Sequence, residues 1–141
     1  MQNSPLLAAL IVAQLLVAPA AAPACSGADP AITSAGVKNV THQGAVNNYA
    51  VAVTVVNRGD AGQPSNLLES VNIFQDATKV GRKGIPPLKP GQSYTFTYEF
   101  VRSDEAVPRS TRLRFQLVLQ NYPVPGSQDC DVTNDRIVVN V

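Results

Sequence analysis

Tyr49, Val51, Val53 and Val55 occupy every second place in the run YAVAVTVVNRGD, which breaks at Asn57-Arg58-Gly59-Asp60. Successive side chains of a strand point to opposite faces, so these four share one side, and that side is available for burial. The pattern returns in Tyr94–Phe100 and in Leu113–Leu119, with large apolar residues on one face and mostly polar or small ones on the other. Three runs of this kind confine the chain to folds in which sheets bury one face each.

The strands are separated by turn-forming sequence. Ala31–Val40 is a first strand interrupted by Gly36, where a bulge or kink is expected. Val46–Asn57 is the second. Gly59–Ser65 is a loop by composition, and Leu67–Phe74 reads as a strand from its length and from β-branched Val71 and Ile73. Asp76–Ile85 makes a short hairpin step. Pro90 fixes φ near −65° and Gly91 accepts positive φ, which are the demands of the central positions of a type II turn. That turn launches Tyr94–Val101. A charged loop, Arg102–Ser110, leads to Thr111–Gln120, and Arg136–Val141 closes the chain as a strand. The fold predicted is all-β, an immunoglobulin-like sandwich of about seven antiparallel strands with no helix outside the amino-terminal segment. Its core draws on Val51, Val53, Val55, Tyr94, Phe96, Tyr98, Phe100, Leu113, Phe115, Leu117 and Leu119. Tryptophan is absent, so the antibody signature of Trp against a disulfide does not apply.

Leu6–Val17 is an apolar run too short to span a bilayer, which needs about 20 residues. Small residues at Ala22 and Ala24 form a peptidase-compatible site before Cys25, with Ala20 as an alternative cleavage point. Residues 1–24 therefore read as a secretory signal, although no Lys or Arg precedes the apolar run, and 25–141 as one exported domain with no membrane span. Two cysteines remain, Cys25 and Cys130. In an oxidising compartment they read as a disulfide tying the first strand to the last hairpin. Closing a loop of roughly 100 residues is worth about 4.7 kcal/mol in the chain-entropy model. The competing reading makes Cys25 the lipidated first residue of a lipoprotein.

The formal net charge is +1, from 11 basic and 10 acidic residues scattered along the sequence, and this leaves no footprint for nucleic acid or an anionic membrane. A nucleophilic triad needs a histidine, and His42 is the single one, placed in the polar stretch between the first two strands. GxGxxG, GxxxxGK and GxSxG motifs are all missing. Asp104 and Glu105 read as surface charge. No cofactor and no enzymatic activity are expected. Asp129, Asp131, Asn134 and Asp135 bring four oxygen-bearing side chains into seven residues, a weak candidate calcium loop, but the spacing is not that of an EF-hand, no glycine sits within it, and a metal-free polar loop restrained by Cys130 is the reading these residues favour. Arg58-Gly59-Asp60 spells an adhesion tripeptide, but Asn57, Gly59 and Asp60 read first as turn formers. Asn39-Val40-Thr41 is a glycosylation sequon in form.

The order of these signals resembles the CARDB family, the cell-adhesion-related Ig-like domains of bacterial exported proteins. The resemblance rests on an alternating strand ending in Asn57-Arg58-Gly59-Asp60, a strand ending near Asp76, Val80-Gly81, then Leu88-Lys89-Pro90-Gly91-Gln92-Ser93 before an aromatic strand. It covers about Ala31 to Val141. The chain departs from the family at the acidic, Asn-rich turn before the last strand, where only Asn134 and Asp135 keep that character. The resemblance implies an extracytoplasmic, non-catalytic binding or spacer module; the sandwich pattern, the signal and the missing catalytic groups point to a protein or glycan partner at the cell envelope. From the residues themselves, a structural subunit that assembles by strand addition and a carbohydrate-binding module are the alternatives, the latter relying on Tyr122 and Tyr49 as exposed aromatics.

Overall fold

A computed structural model describes residues 26–120 and 129–141. Seven strands occur in chain order, β1 (Pro30–Gln43), β2 (Val46–Asn57), β3 (Glu69–Gln75), β4 (Thr78–Ile85), β5 (Ser93–Ser103), β6 (Arg112–Leu119) and β7 (Arg136–Asn140), with one turn of 3-10 helix at Val132–Asn134. They form two antiparallel sheets, ordered β1-β2-β5 and β4-β3-β6-β7. This is the sandwich predicted from the alternation.

Period two explains the layering. Val51, Val53 and Val55 of β2 face inward and are completely buried, while Ala50, Ala52 and Thr54 between them are partly exposed. Facing them from the other sheet are Val71 and Ile73 of β3 and Leu113, Phe115 and Leu117 of β6. Phe115 is the hub of the aromatic packing. Phe96 and Tyr98 of β5 meet its ring edge-on, with centroids 6.5 and 6.2 Å away, a geometry that brings a positive ring edge to a negative face. Tyr94 and Tyr98 are half-buried and pack on the rim of this core.

Several elements differ from the sequence expectation. β1 runs on to Gln43, so His42 is an exposed strand residue opposite Asn47 and not part of a loop. Gly36 pairs regularly with Ala52, and the irregularities lie on either side of it, at Ile32/Ser34 and Val37/Asn39. The apolar content of Leu67-Leu68 suggested strand, but a turn at Ser65-Asn66, closed by the Leu67 N–H donating to Pro64 C=O at 3.0 Å, delays β3 to Glu69; Leu67 is buried and Leu68 is 60% exposed. β3 and β4 are joined by Asp76-Ala77, with Asp76 at φ 53°, a conformation that Asp tolerates through local hydrogen bonding.

Candidate functional site

One pole of the sandwich gathers the start of β1, the end of β2, the start of β3, the end of β6 and the start of β7. Asn57, the last residue of β2, is fully buried there and organises the loops. Its Oδ1 accepts from the N–H groups of Asp29 and Gly59, both at 3.0 Å. Its Nδ2 donates to Ala61 C=O at 2.8 Å and to Leu88 C=O at 3.0 Å. One side chain thus satisfies four backbone groups in three segments, which is how irregular backbone survives burial. Gly59 is constrained by space. A Cβ there would lie 1.9 Å from Gly27 O and 2.7 Å from Asp29 N. In the same loop Asp60 Oδ1 accepts from Gly27 N–H at 2.7 Å, and Arg58 N–H donates to Asp29 C=O at 2.7 Å. The Arg58-Gly59-Asp60 tripeptide is therefore laced to the entry of β1. At Lys89-Pro90-Gly91-Gln92, Gly91 has φ 73° and Gln92 N–H bonds Lys89 C=O at 2.9 Å, while Gly91 N–H reaches Asn57 C=O at 2.8 Å.

Against this scaffold sit four carboxyl groups. Glu69 shares the inward parity of Val71 and Ile73 and is only 4% exposed. Gln63 Nε2 donates to its Oε2 at 3.1 Å, and Gln63 Oε1 in turn accepts from Leu88 N–H at 2.8 Å. Burial pushes Glu69 from 4.5 to about 7; the Gln63 bond opposes the rise, and the charge of Asp129 adds to it. Asp135 rises further, from 3.8 to about 8, first through desolvation and then through a hydrogen bond with Asp129 and the charges of Asp129, Glu69 and Asp29. Asp129 is raised as well, again by desolvation first. Asp29 is buried and accepts from Asn134 Nδ2 at 3.0 Å. Glu69 Oε1, Asn134 Oδ1 and Asp135 Oδ1 are buried without a hydrogen-bond partner.

The sequence-proximal set of Asp129, Asp131, Asn134 and Asp135 is thus divided. Asp131 is exposed and caps the 3-10 turn, its Oδ1 accepting from Thr133 N–H at 3.0 Å and from the Thr133 hydroxyl, which together lower its pKa. The other three join Asp29 and Glu69, residues that sequence distance had hidden. Among the described residues no group of three or more His, Cys, Asp or Glu could hold a metal ion. The Cys25–Cys130 pairing falls on residue 25, outside the described residues. No described cysteine is free, and Cys130 Sγ lies 3.7 Å from the position a Cβ on Gly27 would take, two residues from Cys25.

Elsewhere, Asp104 accepts from Asn47 Nδ2, and its N–H donates to Ala45 C=O at 2.9 Å. Asp104 therefore ties the end of β5 to the β1–β2 turn. Tyr49 is half-buried, stacked on Phe100 at 5.0 Å and covered by Arg102 at 4.7 Å, so it is not the open aromatic platform a sugar requires; Tyr122 lies outside the described residues. An open groove of about 610 Å³ runs on the outer side of the second sheet beside Leu68, Ser70, Arg82, Gly84, Pro86 and Gln120. Gln120 bridges its floor, donating to Ser70 Oγ at 2.7 Å and accepting from Arg82 at 3.2 Å. Among the described residues no helix is long and apolar enough to cross a membrane.

No family model and no curated protein matches the chain. Among solved structures it is similar to the CARDB domain of a Pyrococcus furiosus protein, crystallised in complex with di-metal ions, at 16% identity over 82% of this chain and 93% of that one, with a TM-score of 0.58. A protein from Archaeoglobus fulgidus matches at 12% identity over 78% of this chain and 94% of that one, with a TM-score of 0.36.

Proposed function

We propose that this chain, which has the fold of a CARDB domain, is an exported, non-enzymatic Ig-like module that binds a protein or glycan at the bacterial cell envelope. Support for export comes from the signal-like residues 1–24 and from the pair Cys25 and Cys130, which reads as a disulfide of an oxidising compartment. The observation that carries the binding role is the groove beside Leu68. A large apolar side chain is 60% exposed there, next to a fixed row of polar groups from Arg82, Gln120 and Ser70. An apolar anchor ringed by oriented donors and acceptors is how protein surfaces gain affinity and register.

The test is capture from a native envelope fraction on immobilised mature domain, beside Leu68→Asp and Arg82→Glu variants. A partner retained by the wild type and lost by both supports the assignment. Equal retention by the three proteins, or turnover of any substrate by the purified domain, refutes it. A second reading, assembly by strand addition, draws on β7, whose five residues form a sheet edge with Val138 39% exposed. Light scattering over a concentration series separates it from the first, since a strict monomer rules out self-assembly.

A further inference from the structure

Every second residue of β4, β3, β6 and β7 points away from the core, and the charges of these strands are not shared evenly between the two sides. The outward set includes Lys79 and Arg82 of β4, Arg112 and Arg114 of β6 and Arg136 of β7. Glu69 is the single acid within the four strands, and it faces the core. A chain whose net charge is only +1, from 11 basic and 10 acidic residues, thus keeps five cations and no anion on one sheet face. Asp76, in the turn after β3, and Asp135, just before β7, stand at its two ends. Surface charges of folded domains ordinarily mix both signs, because a field of one sign repels itself and costs stability.

Strand register sets these groups in rows. Arg82, Asn72, Gln116 and Arg136 stand opposite one another across the sheet, two half-buried amides between two guanidinium groups, over about 14 Å at the usual strand spacing. The next row holds Lys79, Phe74, Arg114 and Val138. In it the Arg114 guanidinium lies over the Phe74 ring, 3.9 Å from its centroid, so its orientation is set before any ligand arrives. Arg112 follows on the same side of β6, roughly 7 Å further along.

Given the reading of the chain as a non-enzymatic binding module, on which the assignment rests, we infer that this face docks an acidic polysaccharide, a sugar chain bearing repeated carboxylate or sulfate groups. Guanidinium forks match both groups bidentately, and the amides of Asn72 and Gln116 supply donors and acceptors for sugar hydroxyls. Protein interfaces place apolar and aromatic anchors at their centre and leave charge to the rim. Here the centre is amide and arginine, and the exposed apolar residues, Leu68 and Val138, lie at the margins. Single-stranded nucleic acid stacks on open rings, whereas Phe74 is covered by Arg114.

Biolayer interferometry of the mature domain on immobilised dextran sulfate and polygalacturonate, with neutral dextran beside them, provides the test. Saturable binding to at least one acidic polymer and none to neutral dextran is expected, weakening by about tenfold or more between about 50 and about 200 mM NaCl. Arg112→Gln combined with Arg136→Gln, at two exposed positions away from the groove, weakens binding by about tenfold or more. Lys38→Gln combined with Lys89→Gln removes the same charge elsewhere on the molecule and changes it by less than about threefold. Equal losses in the two pairs, or equal binding to neutral dextran, overturn the inference. So does tighter binding to duplex DNA or to phosphatidylglycerol vesicles than to both polymers, which reassigns the face to nucleic acid or membrane. Silence on both acidic polymers overturns it too, while a capture from the envelope that depends on Leu68 would still uphold the binding module. Should the double variant fail to fold, Arg136→Gln alone is read in the same way.

Discussion

Glu69→Gln isolates the cost of keeping a carboxylate at the inner end of β3. In the folded chain Glu69 holds its proton up to about pH 7, against an ordinary value of 4.5, because burial penalises the ionised form. At about 1.4 kcal/mol per pKa unit, ionising it in place costs about 3 kcal/mol. The sign follows from the direction of the shift. A raised folded-state pKa means that the folded form binds the proton more tightly than the unfolded chain does. The associated stability is fully present below about pH 4.5 and is lost as pH rises through about 7. Glutamine keeps the shape and the Gln63 contact without the charge, so the variant gains little at pH 4.5 and about 2–3 kcal/mol at pH 8, relative to wild type. Urea unfolding, monitored by circular dichroism at both pH values, measures this directly. A Glu69→Gln effect that is the same at both pH values refutes the reasoning, since it removes charge desolvation as the cause.

Asn57→Ala strands the buried N–H groups of Asp29 and Gly59, each costing about 1–3 kcal/mol, while Leu88 C=O keeps the Gln63 N–H; a loss of at least about 2 kcal/mol by urea unfolding is expected, out of the typical 5–15 kcal/mol. Gly59→Ala drives a methyl into Gly27 O and Asp29 N, and a loss of about 1–3 kcal/mol is expected by the same assay, with the damage concentrated in hydrogen exchange at residues 27–29. Phe115→Ala empties the centre of the aromatic packing and is expected to cost about 3–5 kcal/mol, read from the shift in the urea midpoint.

What is legible in the sequence is what local periodicity encodes. β2, β5 and β6 announce themselves because each keeps its large residues at one parity, and that parity is the buried one. Leu67-Leu68 misleads for the same reason: apolar content is not parity, and a turn just ahead of them delays the strand. The pole is legible only in pieces. Asp129, Asn134 and Asp135 cluster in sequence and in space, but Asp131, their neighbour in the chain, points to solvent. Asp29 and Glu69 arrive from distant strands. Counting back in twos from Ile73 and Val71 lands on Glu69, so the parity of β3 carries the signal for an inward acid, although the strand pattern alone says nothing of the acids it meets there. Asn57 reads as a turn former, yet its work is to bind three separated segments, a role that depends on which loops meet and that no local pattern carries.

The poles also decide how the domain answers a pull. The backbone enters β1 at Pro30 beside the acids and leaves β7 at Asn140 at the opposite end, with β1 and β7 touching and running the same way. Tension between those two points drags β1 lengthwise along β2, so the cross-strand bonds over most of its length must fail together instead of unzipping one at a time. A sandwich wired like this resists tension along that axis as a stiff unit.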